Sequence, residues 1–219
     1  MGIREERRSE RQAAVLDAAT ELMESHGASA VTIAAVAGRI GASVGGMYRY
    51  FPTKQAIFLA LQLRSIESFE EFLESRLSKV ADSVPAHGGS KGHIDLIIAA
   101  FEAWPAFAES SPTHHRLLDE FVSMPTRTLD DAAALAVHER LQSILVRIAG
   151  LLERAVEAGE LVAGDSMART HLMWAALHGL GHFKKRDHLQ PEPLRVAALR
   201  RQLFDSFLVA WGASRTRTS

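Results

Sequence analysis

Residues 31–55 read VTIAAVAGRIGASVGGMYRYFPTKQ, and this stretch predicts two short helices joined by a tight turn. Thr32 is a good N-cap for the first helix. Gly41 can adopt the left-handed conformation that ends a helix, and Ser43 offers a second N-cap only two residues later. Pro52 ends the second helix after Phe51, because proline disfavours helical geometry in the residue before it.

Helices are also predicted on both sides of this pair. Residues 12–25 carry apolar side chains at helical spacing, with Gly27 as a C-terminal cap, and Thr53 can cap a long helix that continues to Val80. Two short helices joined by a glycine-containing turn and braced by a preceding helix are the outline of a helix-turn-helix. Its second helix enters the major groove of DNA. The alternative is an ordinary corner of a helical bundle.

The charge distribution favours the DNA-binding alternative. The chain holds no Asp or Glu from Ser25 to Ile66, a window in which about five are expected by chance. A surface without carboxylates suits a polyanion, because each carboxylate would repel phosphate. A chance fluctuation in composition is the alternative. The same window contains four cations, Arg39, Arg49, Lys54 and Arg64.

Composition limits the class of protein. With 47% hydrophobic and 23% charged residues, the 219-residue chain has the composition of an ordinary soluble globular protein. No window approaches the roughly 20 apolar residues of a membrane span, and the start shows no signal peptide, so we expect a cytoplasmic protein without membrane contact. The absence of cysteine excludes disulfides and thiolate metal sites. Helical periodicity prevails throughout, which predicts an all-α fold.

The run from Arg11 to Leu59 resembles the N-terminal DNA-binding segment of TetR-family transcriptional regulators. The resemblance implies a three-helix helix-turn-helix domain over residues 1–56, joined by a long helix to a larger helical ligand-binding and dimerisation domain over residues 57–219. We expect no cofactor and no metal. The residues that carry the resemblance are Ala18, Ala19, Gly27, Thr32, Ile33, Ala37, Ser43, Gly45, Tyr48, Tyr50, Phe51 and Lys54.

Matching positions carry the family's DNA contacts over to this chain. Thr32 would hold a phosphate through its hydroxyl and the start of its helix, and Lys54 would contact another phosphate. Gly45 would allow the backbone to approach a phosphate closely. The complete set of expected DNA-binding residues is Thr32, Arg39, Ser43, Val44, Gly45, Gly46, Tyr48, Arg49, Tyr50 and Lys54.

Two positions depart from the family pattern. Position 46 is commonly Thr and here is Gly, and position 44 is often polar or basic and here is Val. We therefore expect few direct hydrogen bonds to base edges, with an apolar contact from Val44 to a thymine methyl and with DNA shape contributing the remaining specificity.

Four arginines precede this segment, with three glutamates interleaved among them. They could contact phosphates or the minor groove as a mobile arm, or they could simply form the solvated end of a helix. The arginines are Arg4, Arg7, Arg8 and Arg11, and the glutamates are Glu5, Glu6 and Glu10.

The resemblance also implies a pocket for a small, largely apolar effector in the larger domain. A solid hydrophobic core is the alternative for the same aromatic residues. Pro105 would kink the helix that borders the pocket, and residues 85–92 predict a loop. The candidate lining residues are Phe69, Phe72, Phe101, Trp104, Phe107, His115, Phe121 and Arg140, with Glu102 and Met124 as further candidates.

The resemblance further implies that the last two long helices of each subunit form a four-helix dimer interface. The expected interface residues are Trp174, Ala175, His178, Gly179, His182, Phe204, Phe207, Leu208 and Trp211. His171, His178 and His182 share a helical stripe, and imidazoles at i, i+4 can chelate a metal. No acidic or third ligand stands at a diagnostic spacing, and Trp174 lies in the same stripe, so interface packing is the preferred interpretation.

These features predict a ligand-responsive DNA-binding transcriptional regulator and not an enzyme. We expect a repressor that binds a palindromic operator as a homodimer and leaves DNA when a small-molecule effector binds. One alternative is a small helical enzyme that uses Glu102 or a histidine as a base, although no catalytic motif supports it. The other is an activator or DNA-organising protein of the same fold.

Overall fold

The computed structural model describes residues 2–83, 92–123 and 129–214, and within these ranges it contains helices and no strand. Met124 and most of the predicted 85–92 loop lie outside the described residues. The α-helices are α1 (Ile3–His26), α2 (Ile33–Arg39), α3 (Val44–Met47), α4 (Lys54–Ser83), α5 (Gly92–Ser110), α6 (Pro112–Ser123), α7 (Asp131–Glu157), α8 (Ser166–Phe183) and α9 (Val196–Ala210). None of these helices is both long and apolar enough to cross a membrane.

Helix α1 begins nine residues earlier than the predicted start at Gln12. The added segment has no apolar face, so hydrophobic periodicity could not reveal it, but its arginines and glutamates are good helix formers. The Glu5 carboxylate accepts a hydrogen bond from the Gly2 amide at 3.1 Å and so satisfies one free N–H at the start of the helix. Gly27, with φ 81°, follows the helix as predicted.

The turn between α2 and α3 confirms the predicted caps. Thr32 Oγ1 accepts the Ala35 amide at 3.1 Å, and Ser43 Oγ accepts the Gly46 amide at 3.1 Å. Gly41 has φ 63°, the left-handed conformation that the turn requires.

Helix α3 is shorter than predicted. It ends at Met47 rather than at Phe51, and the amides of Tyr50 and Phe51 both donate to the Met47 carbonyl at 2.9 Å. The chain therefore tightens into a turn before Pro52. Two glycines within four residues weaken a helix, which accounts for the early end.

The chain forms two compact units. Residues 1–69 with 110–140 form the first, and residues 70–109 with 141–219 form the second. In the first unit, Val15, Val36, Met47 and Ile57 are buried and bring α1 to α4 together. The predicted domain boundary after residue 56 stays a prediction.

Polar contacts also fix α6 within the first unit. The Gln62 amide nitrogen donates to the Leu117 carbonyl at 2.8 Å, and Ser65 Oγ lies 2.9 Å from His114 Nδ1. Thr113 donates to the Glu24 carboxylate. Helix α6 is thus tied to both α1 and α4.

In the second unit, two buried charged side chains make contacts at the ends of helices. The Glu160 carboxylate accepts hydrogen bonds from His93 Nδ1 at 2.7 Å and from the Ile94 amide at 3.2 Å, at the start of α5. The Arg169 guanidinium donates to the Val162 carbonyl at 2.9 Å and lies 5.4 Å from the Trp211 ring centre. These contacts join α5, α7, α8 and the end of α9.

His114 makes the stability of the first unit depend on pH. Burial, and then the positive charge of Arg64, lower the pKa of His114 below its ordinary value of 6.5, while Glu24 acts in the opposite direction. The unfolded chain therefore binds a proton more readily than the folded chain, and the free energy of unfolding should fall as pH drops below about 6.5.

We expect the free energy of unfolding to fall by about 1.4 kcal/mol for each unit by which the pKa of His114 is lowered. Urea unfolding of the wild type and of His114→Gln at pH 7.5 and pH 5 measures it, because glutamine keeps a hydrogen-bonding side chain without titrating. An equal loss of stability in both proteins would contradict the expectation.

Candidate DNA-binding surface

Three consecutive helices, α2, α3 and α4, begin with an exposed hydroxyl that caps the helix. Thr32 and Ser43 cap α2 and α3, and Thr53 Oγ1 accepts the Ala56 amide at 3.0 Å at the start of α4. Each hydroxyl uses a lone pair for its helix and keeps its own hydrogen to donate outward. Such hydrogens suit an acceptor such as a phosphate oxygen.

The exposed face of α3 carries little side chain. Val44 is 42% exposed and Tyr48 is 53% exposed, while Met47 is buried and anchors the helix from behind. A Cβ atom at Gly45 would meet nothing within 4 Å, and Gly45 does not have a positive φ. Neither the backbone conformation nor the packing of the chain therefore requires glycine at position 45, and the surface of α3 is open there.

Gly46 has an internal reason to be glycine. A Cβ atom at this position would lie 3.0 Å from Ser43 Oγ, the oxygen that caps α3. A side chain here would push against the cap. Glycine at position 46 therefore leaves the Ser43 cap of α3 undisturbed.

The four cations of the carboxylate-free window have different surroundings. Arg39 pairs with Glu21 of α1, with Nη2 at 2.9 Å and Nε at 3.0 Å from one carboxylate oxygen. Arg64 contacts Asp17 at 2.6 Å and Thr20 at 2.7 Å. It braces α4 against α1.

Lys54 and Arg49 form no ion pair with a described residue, unlike Arg39 and Arg64. Lys54 Nζ lies 3.5 Å from the Ala28 carbonyl and 5.3 Å from the Phe58 ring centre, which leaves further donors on the ammonium. Arg49 is exposed and forms no ion pair with any residue in the described ranges. The neighbouring Tyr50 is half-buried.

Sequence reasoning missed Glu21 as part of this surface. The window from Ser25 to Ile66 contains no carboxylate, but Glu21 reaches Arg39 from α1, 18 residues away in sequence. No local signal could have revealed this contact, because it depends on how α1 packs against α2.

The expected effector-binding residues divide between the two units. Phe69, Phe101, Phe107 and Phe121 are buried, Phe72, Trp104 and His115 are half-buried, and Arg140 is exposed. Glu102, the candidate base, pairs with Arg200 at 2.9 Å. In the second unit, the Phe72 and Phe107 rings pack 5.5 Å apart. Effector binding by these residues stays a prediction.

An open surface pocket of about 470 Å³ lies elsewhere in the second unit. It contains none of the predicted effector-binding residues. Its lining residues are Glu153, Val156, Glu157, Ala163, Gly164, Asp165, Ser166 and Met167.

The expected dimer residues also differ in exposure. Ala175 and His182 are exposed, and Trp174, His178, Gly179 and Phe207 are half-buried. Phe204, Leu208 and Trp211 are 4 to 8% exposed within the single chain, so most of the apolar face of α9 does not need a second copy to cover it. The imidazole of His178 packs among rings, 5.5 Å from Trp174 and 5.2 Å from His182.

Comparison with known proteins agrees with this geometry. The family described as bacterial regulatory proteins, tetR family, matches residues 15–61, which contain the helix-turn-helix. The nucleoid occlusion factor SlmA of Vibrio cholerae serotype O1 is 30% identical over 179 residues, which cover 81% of this chain and 85% of that protein.

Solved structures share the fold at low sequence identity. A TetR-family transcriptional regulator from Agrobacterium tumefaciens has a TM-score of 0.63 at 16% identity and covers 94% of this chain and 100% of its own. AibR, in complex with isovaleryl coenzyme A and operator DNA, has a TM-score of 0.57 at 14% identity, over 91% of this chain and 97% of its own. The helix-turn-helix, the family match and the likeness to SlmA along most of both chains together identify this chain as a DNA-binding regulator of the TetR family.

Proposed function

We propose that the chain is a homodimeric repressor that binds a palindromic operator in double-stranded DNA and is released by a small, largely apolar molecule. The observation that carries the DNA-binding part is the open face at Gly45 beside the capping hydroxyls of Thr32, Ser43 and Thr53. Together they offer close backbone approach and outward-pointing donors. Those are the requirements of a surface that docks on a phosphate backbone.

The residues beside this face have complementary roles in the proposal. Lys54 and Arg49 contribute positive charge, and Thr32 donates to a phosphate. The exposed Val44 side chain contacts a thymine methyl, and Tyr48 and Tyr50 contact phosphate or base. Few of these groups read base edges by hydrogen bonds, so DNA shape supplies part of the preference.

An exposed apolar face of α8 supports the homodimer. Leu172 and Phe183 are each 57% exposed, and Ala175 and Gly179 lie on the same helical face at steps of three and four residues. A second copy of the protein packed against this face would bury these side chains. On α9, Phe204 and Leu208 are already buried within their own chain. Two copies would present recognition helices about 34 to 36 Å apart, one turn of DNA.

Two observations support the effector part of the proposal. AibR shares the fold and was solved with both a small molecule and operator DNA. In this chain the aromatic cluster of the second unit, which includes Phe72 and Phe107, supplies an apolar environment. We place the protein in the cytoplasm, where its DNA would be.

Substitution of Lys54 and Tyr50 tests the DNA-binding surface. The probe is the duplex that the purified protein selects from a random-sequence library. We expect Lys54→Gln to weaken binding uniformly across sequences and to lower the slope of log K against log salt by about one. Tyr50→Ala should weaken binding as well.

Lys185→Gln is the matched control, because Lys185 is an exposed cation of the second unit. Binding isotherms recorded between about 50 and 200 mM salt give the slopes, because phosphate contacts lower the affinity strongly over this range. Unchanged binding in both Lys54→Gln and Tyr50→Ala would exclude the proposed surface.

Breaking the ion pair between Arg39 and Glu21 should strengthen DNA binding. The carboxylate of Glu21 competes with phosphate for the guanidinium and also repels the DNA. We expect Glu21→Gln to bind the selected duplex about two- to fivefold more tightly, with a salt slope larger by about one. The double variant Glu21→Gln with Arg39→Gln should lose this gain, and a gain that persists there would mean that Arg39 is not involved.

The SlmA relative favours a second candidate function. That protein is a nucleoid occlusion factor, and it matches this chain along most of its length. Both candidates require DNA binding, so the distribution of bound sites separates them. A profile of chromosomal occupancy confined to a few promoters supports the repressor, whereas many sites spread over the chromosome support a DNA-organising role.

A further inference from the structure

The nine residues by which α1 extends beyond its predicted start carry a one-sided charge pattern. Arg4, Arg8 and Arg11 follow each other at steps of four and three residues, and Arg7 lies beside them. Side chains at these spacings share one face of a helix. Glu6 lies on the other side of the helix, and Glu5 and Glu10 flank the arginine face. All these residues are exposed, and none of the four arginines forms an ion pair with a described residue.

This arginine face continues the face by which α1 packs on the helix-turn-helix. The steps of four and three continue from Arg11 to Val15, Ala18 and Leu22, which are buried in the first unit. The same side of α1 is therefore apolar where the first unit covers it and cationic where the helix extends beyond that core. The arginines therefore lie on the same side of α1 as the core of the first unit, and they are exposed.

The pattern costs stability in the isolated chain. Arg4 with Arg8 and Arg7 with Arg11 are like-charge pairs at i, i+4, each of which destabilises a helix by about 0.2 to 0.5 kcal/mol. Glu5 with Arg8 and Arg7 with Glu10 are opposite-charge pairs at i, i+3 that offset part of this cost. The like-charge repulsion within the arginine face remains, and an anionic partner would neutralise it.

We propose that the arginine face, Arg4, Arg7, Arg8 and Arg11, binds the phosphate backbone of duplex DNA beside the segment that α3 contacts. This inference rests on the proposed DNA-binding function and extends its footprint. The exposed segment spans about 12 Å along the helix axis, which matches three to four base-pair steps of the duplex. It acts as part of a rigid helix, in place of the mobile arm considered from the sequence, so the arginines are ordered before DNA arrives.

Neutralising the face provides the test. The variant Arg4→Gln, Arg7→Gln, Arg8→Gln, Arg11→Gln keeps good helix formers while removing four charges. Its control neutralises four exposed cations of the second unit, Lys79, Arg154, Lys185 and Arg186, also to glutamine, and so changes the net charge equally. Circular dichroism and gel filtration verify the helix content and the assembly state of both proteins.

The measurement is binding to the duplex selected from a random library and to a scrambled duplex, over a range of salt. We expect the arginine variant to lower the salt slope by about two to four, because each phosphate contact contributes about 0.9. Both duplexes should lose affinity by the same factor, because phosphate contacts carry no sequence information. The control should change the slope by less than about one.

A slope equal to that of the control would overturn the inference, and so would a selective loss on the selected duplex alone. Vesicles containing phosphatidylglycerol test an anionic membrane as the partner. Loss of vesicle binding with an unchanged DNA slope would assign the arginines to lipid and overturn the inference. A wild-type protein without salt-sensitive DNA binding would instead contradict the proposed function itself.

Discussion

Replacing Gly45 by glutamate should abolish tight DNA binding, by at least about 100-fold or 2.7 kcal/mol, without weakening the fold. A Cβ atom at Gly45 meets nothing within 4 Å, so a larger side chain fits the free protein. In the complex the same side chain would separate α3 from the DNA and place a carboxylate against phosphates. Fluorescence anisotropy with the selected duplex measures the loss, and urea unfolding measures stability.

Two further variants distinguish the effect of side-chain volume on DNA binding from the effect of the negative charge. Gly45→Ala should raise the free energy of unfolding by up to about 1 kcal/mol, because glycine is a poor helix former, and yet weaken DNA binding about three- to tenfold. Ala136→Glu adds the same charge at an exposed position of α7 in the same unit and should leave binding within about twofold. If Gly45→Glu retained binding within about threefold of the wild type, α3 could not be the element that docks on DNA.

Replacing Phe107 by alanine should lower the free energy of unfolding of the second unit by about 3 to 5 kcal/mol. Phe107 is 1% exposed, and its ring packs 5.5 Å from that of Phe72. Removing so large a buried side chain loses its transfer free energy and leaves a cavity. Urea unfolding followed by tryptophan fluorescence measures the effect, since Trp104, Trp174 and Trp211 all belong to the second unit.

Phe107→Leu is the matched variant, because leucine keeps most of the apolar volume. It should cost about 1 kcal/mol. A loss below about 1 kcal/mol for Phe107→Ala would mean that the ring faces an open pocket rather than solid core. That outcome would strengthen the effector-pocket assignment for this residue.

The local features of the helix-turn-helix were predictable from sequence. Thr32, Ser43 and Thr53 each cap a helix through the amide three residues later, and Gly41 takes a positive φ. These outcomes depend on a few neighbouring residues, whose chemistry is visible in the sequence itself.

Two local predictions were wrong, for different reasons. Helix α1 starts at Ile3 because charged residues propagate a helix without an apolar stripe to reveal it. Helix α3 ends at Met47 because the two glycines inside it weaken so short a helix and Pro52 disfavours helical geometry at Phe51. In both places the periodicity of apolar residues was a poor guide to the ends of the helix.

The sequence by itself determined the all-α fold, the helix-turn-helix and its caps, because these follow from interactions between residues a few positions apart. Only the tertiary structure decided that Glu21 holds Arg39, that a side chain at position 46 would crowd Ser43 Oγ, and that Phe204 and Leu208 are buried within their own chain. Charge pairing and burial depend on which helix faces come together in space. Packing of the whole chain sets those faces, and no local pattern encodes them.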